Sequence, residues 1–183
     1  MTRRLLLALL ALISVAGAPR ASQSQEGATV VVIVRHAEKD SVPAADPPLT
    51  EAGKARAKAL VAVLANAKLG AIYSTAFVRT RETVRPTSEA QGVPVETITG
   101  RTAAEQAESV LQAVKKHPGQ TILVAGHSNT VMAIVAALGG PKLPDLCDGQ
   151  YSKLFTVIID QGKTRVIQGS YGLIVDSCPN PLR

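Results

Sequence analysis

The segment that most constrains this chain is Thr29–Val34, six consecutive β-branched residues. A run of this kind, without polar residues at alternate positions, predicts a strand that is buried on both faces. Such strands belong mainly to parallel sheets, in which crossover helices cover the two faces. The run therefore predicts an α/β fold.

Strand and helix patterns alternate along the rest of the chain. Further strands are predicted at 71–74, 93–98 and 121–125, and each is followed by apolar residues at helical spacing or by a turn. Two last strands, 154–159 and 164–168, flank a Gln161-Gly162 turn and predict an antiparallel hairpin. Together the patterns predict a three-layer α/β/α sandwich, with a mainly parallel sheet and an antiparallel C-terminal edge hairpin.

Caps and breakers predict where the first two helices begin and end. Thr50 is a good N-cap for the first helix, and Gly70 is predicted to end it. A second helix is predicted to begin near Phe77 and to end before Gly92. Because a proline lacks a backbone N–H and clashes with the preceding turn, we expect Pro86 to kink or split this helix.

Residues 1–25 have the pattern of a secretory signal. Arg3 and Arg4 give it a positive start, residues 5–15 are apolar, and small residues follow. The apolar run is short for a membrane span, so we expect cleavage between residues 17 and 25; an uncleaved N-terminal anchor is the alternative. The rest, 28–183, is predicted to be a single domain, exported to the periplasm or secreted, with no stable membrane insertion.

Charge and aromatic content argue against a nucleic-acid partner. The formal net charge of +6 includes Arg3, Arg4 and Arg20 of the predicted signal, so half of the excess leaves with it. Aromatic residues make up only 3% of the chain and are not interleaved with basic ones. The sequence therefore lacks the basic and stacking surface that nucleic acids need.

Cys147 and Cys178 are the two cysteines of the chain. In an exported protein an even number of cysteines suggests a disulfide, and two unpaired thiols are the alternative. They lie too far apart, with no neighbouring histidine, to show zinc-ligand spacing.

Polar residues follow three of the predicted strands. Arg35 and His36 come directly after the first, Ser74 and then Arg79 after the second, and His127 after the strand at 121–125. The carboxyl ends of parallel strands meet at one edge of the sheet, where α/β proteins bind their ligands. Arginines and a helix N-terminus, expected at Ser128-Asn129, would bind an anion there. A histidine at the base of such a pocket suggests transfer of a phosphoryl group to that histidine.

The segments Arg35-His36-Ala37-Glu38, Leu49-Thr50-Glu51-Ala52-Gly53, Ser74 through Arg79 to Thr83, and Gly126-His127-Ser128 resemble the histidine phosphatase superfamily, also called phosphoglycerate mutase-like. The order and spacing match across residues 28–140. The resemblance implies a small metal-independent phosphatase without a cofactor, of the histidine acid phosphatase type, acting on a small phosphorylated substrate. It implies that His36 is the nucleophile, and that Arg35, Arg79 and His127, with Ser128, bind the phosphate.

The group that protonates the leaving group has no clear candidate in the sequence. Family members often supply it from a glutamate after the third strand, where this chain reads Thr97-Ile98-Thr99-Gly100-Arg101. Glu105 is the nearest acid downstream, and Asp40 and Asp46 in a proline-rich loop are alternatives. Without an acid, aryl phosphates or phosphoramidates would be the favoured substrates. The third histidine, His117, follows two lysines at a helix end and is expected to be exposed.

Other functions remain open on the same fold. A non-catalytic phosphate- or polyanion-binding protein is one, because a fold does not fix a function. A phosphohistidine phosphatase or an envelope-glycolipid phosphatase is another. A serine hydrolase is excluded at Gly126-His127-Ser128, because the glycine that should follow the serine by two positions is absent.

Overall fold

The computed structural model describes residues 27–178, and the predicted signal segment lies outside them. The strands are β1 (Thr29–Arg35), β2 (Leu69–Ser74), β3 (Val95–Thr97), β4 (Thr121–Gly126), β5 (Lys153–Asp160) and β6 (Lys163–Ser170); the helices are α1 (Glu51–Leu64), α2 (Val78–Gln91), α3 (Ala103–Val114) and α4 (Val131–Ala137). They form one sheet of order β3-β2-β4-β1-β5-β6. The first four strands in this order are parallel, and β5 and β6 are antiparallel neighbours. The predicted fold class is confirmed.

The alternate residues of β1 enter two different cores. Val31 and Ile33 pack in the core that α3 and α4 cover, whereas Val32 and Val34 pack in the core that α1 and α2 cover. These four side chains are at most 5% exposed. Burial on both faces explains why β1 carries no polar alternation, and each such side chain contributes roughly 1.5–3 kcal/mol of transfer free energy.

The register of the sheet brings three strand ends to one level. Arg35 of β1 is paired with Gly126 of β4, and Ser74 of β2 is paired with Ala125 of β4. The residues that follow these strands, His36, Thr75 and His127, therefore leave the sheet side by side. This edge is the one at which the sequence predicted a ligand.

Two predicted helix breaks, at Gly70 and at Pro86, do not occur. Gly70 does not end α1: the helix ends at Leu64, the chain turns at Lys68 with a positive φ of 46°, and Gly70 lies inside β2. Pro86 does not split α2, which continues to Gln91 and ends at a left-handed Gly92. Val84 and Thr87 are fully buried on either side of the proline, so packing holds both parts of the helix in place.

The residues after β6, called here the C-terminal segment (171–178), have no regular secondary structure. The backbone N–H of Tyr171 donates to the carbonyl of Ser152, which places the start of this segment beside β5. Within residues 27–178 no helix has the length and apolarity that crossing a bilayer requires.

Candidate active site

His36 lies at the end of β1 and is 3% exposed. Its backbone N–H donates to the carbonyl of Gly126, which continues the β1–β4 ladder by one residue. Its Nδ1 lies 2.8 Å from the carbonyl oxygen of Ala37. Because a carbonyl can only accept, the ring proton is on Nδ1, and the lone pair is on Nε2. Burial lowers the pKa of His36 to about 3, and the neighbouring Arg35 charge adds to this effect, so the ring is neutral near pH 7.

Arg35 is the most enclosed cation of the site, with a side chain that is 3% exposed. Its Nη1 donates to the carbonyls of Cys147 and Asp148, at 2.8 and 2.9 Å. Its guanidinium carbon lies 4.2 Å from the centre of the Tyr151 ring, within cation–π range. Its Nε is buried and has no hydrogen-bond partner among the described residues.

Arg79 stands in the first turn of α2 and is 14% exposed. Its Nη1 lies 3.5 Å from Oδ1 of Asp46, and its guanidinium carbon lies 4.2 Å from the centre of the Phe77 ring. Its Nε, like that of Arg35, is buried and unpaired in the described part of the chain. The neighbouring Arg81 is exposed and lies outside the cavity, as expected for a surface charge.

His127 follows β4, and its Nε2 lies 3.0 Å from Oγ1 of Thr75. The Thr75 hydroxyl also lies 2.7 Å from the hydroxyl of Thr80, so a buried pair of threonines fixes the imidazole. Burial lowers the pKa of His127 to about 4, and the charges of Arg79 and Arg35 contribute. The rings of His36 and His127 meet edge to face, with centroids 5.4 Å apart.

A cavity of about 330 Å³ joins these groups. It brings together the five residues predicted from the sequence: Arg35, His36, Arg79, His127 and Ser128. Ser128 does not begin a helix, however, since α4 starts at Val131, three residues later. The two guanidiniums, whose Nε–H groups have no partner among the described residues, are suited to bind an oxyanion.

Several residues of the site were not identified from the sequence. Lys39 and Arg101 add positive charge to the lining of the cavity, and both are exposed. Thr75 and Phe77 contact His127, and their position directly after β2 was a signal that could have identified them. Among residues 27–178 no group of three or more histidine, cysteine or acidic side chains could hold a metal ion.

The structure places Glu105 away from the cavity. Its Oε2 accepts from the backbone N–H groups of Arg101 and Thr102, and it completes a capping box at the start of α3. Its carboxylate is therefore occupied in starting a helix, which disagrees with its candidacy as proton donor. His117 also differs from the prediction: it is half-buried, and its Nε2 lies 2.9 Å from the Tyr73 hydroxyl.

Glu38, two residues after His36, does not line the cavity but links the end of β1 to α1. Both of its carboxylate oxygens accept from Arg56 of α1, at 2.7 to 3.0 Å. Arg56 is 3% exposed and donates further to the carbonyls of Tyr171 and Leu173 in the C-terminal segment. α1 can approach this closely because residue 53 is a glycine; a side chain at Gly53 would clash with the carbonyl of Glu38.

Cys147 and Cys178 form a disulfide in the structure, with Cα atoms 6.2 Å apart. This separation lies in the usual range for a disulfide. The bond links the end of the C-terminal segment to the residue whose carbonyl binds Arg35.

Comparisons with known proteins agree with the fold of this chain. The model of the histidine phosphatase superfamily (branch 1) matches residues 31–100. Among solved structures, YhfR of Bacillus stearothermophilus is similar with a TM-score of 0.59, at 20% identity over 75% of this chain and 95% of its own. The putative phosphohistidine phosphatase SixA of Agrobacterium tumefaciens gives 0.56, at 23% identity over 75% and 95%. A mycobacterial glucosyl-3-phosphoglycerate phosphatase gives 0.58, at 17% identity over 79% and 98%. A search of curated proteins found no match.

Proposed function

We propose that this chain, whose residues 31–100 match the model of the histidine phosphatase superfamily, hydrolyses phosphomonoesters or phosphoramidates through a phosphohistidine on His36, without a metal. Phosphatase activity in general is supported by the family and by its structural neighbours. The observation that supports the specific mechanism is the state of His36. It is buried and neutral, and its proton is held on Nδ1, so that the Nε2 lone pair is free to attack phosphorus.

The proposed reaction has two displacements at phosphorus. In the first, the Nε2 lone pair of His36 forms a P–N bond, and the bond to the leaving group breaks with its electron pair. In the second, water attacks phosphorus and releases a proton to solvent, the P–N bond breaks, and inorganic phosphate leaves with His36 neutral again. The proton that the first leaving group takes up comes from solvent. Arg35 and Arg79 would bind the equatorial oxygens through their unpaired Nε–H groups, where charge is concentrated in the transition state. His127 would hold a further oxygen.

Because the cavity has few carboxylates that could protonate a leaving group, substrates with good leaving groups are favoured. Among the described residues that line it, Asp148 supplies the one carboxylate, and its side chain is fully exposed. No burial holds a fully exposed carboxylate against a leaving group, so Asp148 gives little general-acid help. We therefore propose aryl phosphates and phosphoramidates, phosphohistidine included, as better substrates than alkyl phosphates.

Hydrolysis of p-nitrophenyl phosphate in the presence of EDTA tests the proposal. Wild type should turn over, and His36→Asn should lose activity by at least ~10⁴-fold, because the nucleophile is removed. His117→Asn is the matched control, since this histidine lies outside the cavity, and it should keep its activity. An acid-labile phosphoryl group on His36 should be trapped by rapid quench. Full activity in His36→Asn would refute the mechanism, and phosphate binding without turnover would favour the non-catalytic alternative.

We also propose that the protein acts outside the cytoplasm. The signal pattern in residues 1–25 and the Cys147–Cys178 disulfide both support export. Fractionation of expressing cells, with the mass of the purified chain, tests this. A periplasmic or secreted product cut between residues 17 and 25 is expected; an uncut chain in the membrane fraction would support the anchor alternative instead.

A further inference from the structure

The way in which Arg35 is held determines which edge of its guanidinium can bind a ligand. Both N–H groups of Nη1 are occupied, one by the carbonyl of Cys147 and one by that of Asp148. The edge that remains consists of Nε and Nη2. Nε is buried and unpaired in the described chain, and Nη2 lies 3.7 Å from Oδ1 of the exposed Asp148 side chain, beyond hydrogen-bond distance. This edge is the one that binds two phosphate oxygens side by side. The two carbonyls therefore fix the orientation of the Arg35 guanidinium, so that its Nε/Nη2 edge is the one that can bind a ligand.

These carbonyls lie in a segment without helix or strand, residues 146–152, called here the carbonyl segment. At its start, the N–H of Leu146 donates to the carbonyl of Ser128, beside His127. Within it, Gln150 closes a turn on Cys147: its N–H donates to the Cys147 carbonyl at 3.0 Å, and its Oε1 accepts from the Cys147 N–H at 2.9 Å. Regular secondary structure does not hold this turn. Besides the Leu146 contact and the hydrogen bonds from Arg35, the disulfide from Cys147 to Cys178 attaches it covalently to the C-terminal segment.

The far end of that disulfide is itself fixed to the body of the protein. Asp176 accepts from the hydroxyl of Ser152 at 2.8 Å and lies 3.3 Å from Nζ of Lys153. A side chain on Gly149 would clash with Ser177, which shows that the carbonyl segment and the C-terminal segment are in close contact. The same C-terminal segment accepts from Arg56, which also donates to the carboxylate of Glu38, two residues after His36.

We propose that the Cys147–Cys178 disulfide is a positioning element of the phosphate site, which keeps the Cys147 and Asp148 carbonyls where they aim the Nε/Nη2 edge of Arg35 at the ligand. The inference rests on the proposed function in one respect, the identity of the ligand as phosphate. When the disulfide is absent, Arg35 keeps its charge and loses its fixed orientation. Phosphate affinity should then fall more than the chemical step, with KM rising and kcat changing little.

The experiment measures the affinity for inorganic phosphate by calorimetry in wild type and in the double variant Cys147→Ser/Cys178→Ser. We expect roughly 5- to 20-fold weaker binding in the double variant, of the size found when one oriented contact is lost. The same change is made in an Arg35→Lys background, in which there is no side-on edge left to aim. There the loss of the disulfide should weaken binding less than twofold, which is the coupling that a double-mutant cycle detects.

Val110→Ala is the control for a loss of stability alone. Val110 is fully buried in the α3 core, away from the cavity, so this variant should lower the melting temperature and keep phosphate affinity. If the double serine variant behaves like Val110→Ala, or if its effect persists in full in the Arg35→Lys background, the proposal is overturned. If the variant does not fold, wild type is reduced after folding with dithiothreitol, which is oxidised to its cyclic disulfide, and the same affinity is measured before and after.

The experiments distinguish failure of the phosphatase proposal from failure of the proposed role of the disulfide. A wild-type protein that binds phosphate but hydrolyses nothing refutes the phosphatase, and the phosphate affinities still decide the role of the disulfide. Unchanged affinity in an active enzyme refutes the role of the disulfide alone.

Discussion

The buried pair, Arg35 and His36, and the half-exposed pair, Arg79 and His127, bring the same two side-chain types to one cavity by different means. Main-chain carbonyls accept hydrogen bonds from the buried pair, through Ala37, Cys147 and Asp148, and the Asp148 carboxylate lies farther off, 3.7 Å from Arg35. Side chains hold the half-exposed pair, through the Thr75 hydroxyl and the Asp46 carboxylate. A main-chain carbonyl neither titrates nor changes rotamer, whereas a carboxylate near solvent does both. The buried pair should therefore be the more rigid and the less sensitive to salt.

The largest difference between the pairs is expected on replacing each arginine by lysine. Arg35→Lys should lower kcat/KM by roughly 10²–10³-fold, because an ammonium cannot reproduce the side-on edge that the carbonyls aim. Arg79→Lys should cost about tenfold, because its site is open enough for a lysine to settle near the phosphate. Steady-state kinetics with p-nitrophenyl phosphate measure both. Arg81→Lys is the control, because Arg81 is exposed and lies two residues after Arg79. An equal loss of kcat/KM in Arg35→Lys and Arg79→Lys would contradict the difference in rigidity.

The acid limb of the pH–rate profile distinguishes the two pairs by their histidines. The lowered pKa values, about 3 for His36 and about 4 for His127, keep both rings neutral down to weakly acidic pH. We expect kcat/KM to fall below about pH 4, by up to tenfold for each unit, as His127 and then His36 take up protons. The second ionisation of a phosphate ester lies near pH 6, well separated from this limb. A fall of activity near pH 6.5 that comes from the enzyme and not from the substrate would contradict the lowering of the two histidine pKa values by burial.

The same pKa values predict how stability changes with pH. An unfolded histidine titrates near 6.5, so below this pH the unfolded chain binds protons that folded His36 and His127 exclude. Stability should therefore be full above about pH 6.5 and should decline as the pH falls toward 4 and then 3. Melting temperatures of wild type and of His36→Asn across this range measure the effect. As the pH falls, the melting temperature of the variant should drop less than that of wild type.

A smaller effect is expected from the carboxylate that holds the half-exposed pair. Asp46 accepts from the N–H of Val78 at 3.0 Å and lies 3.5 Å from Arg79, so it fixes the start of α2 and the arginine together. Asp46→Asn should raise KM about three- to fivefold and make it less sensitive to added salt. Asp40→Asn in the same loop is the control, because Asp40 accepts from the backbone of Ser41 and does not pair with Arg79. Equal effects of the two changes would mean that Asp46 acts only through the net charge of the loop.

The same contrast explains what the sequence could predict. The buried pair follows a strand with an unbroken apolar pattern, and the register of a parallel sheet then requires Arg35, His36 and His127 to meet at one edge. The partners of the half-exposed pair come from loops, such as Asp46 and Phe77, whose position depends on tertiary packing and not on periodicity. The sequence also did not indicate that the carbonyls of Cys147 and Asp148 bind Arg35. Every residue has a main-chain carbonyl, so residue types do not show which carbonyl makes a contact.

The smallest effect is expected outside both pairs, at Glu105. Glutamine serves as well as glutamate in a capping box, so Glu105→Gln should leave stability almost unchanged, whereas Glu105→Ala should lose about 1 kcal/mol or less of the free energy of unfolding. A carboxyl that protonates the leaving group would behave differently, because Glu105→Gln would then slow alkyl phosphates by roughly 10²-fold or more. Comparing kcat for alkyl and aryl phosphates in wild type and Glu105→Gln separates the two roles. An unchanged ratio assigns Glu105 to the helix and leaves Asp148 as the one carboxylate among the described residues that line the cavity.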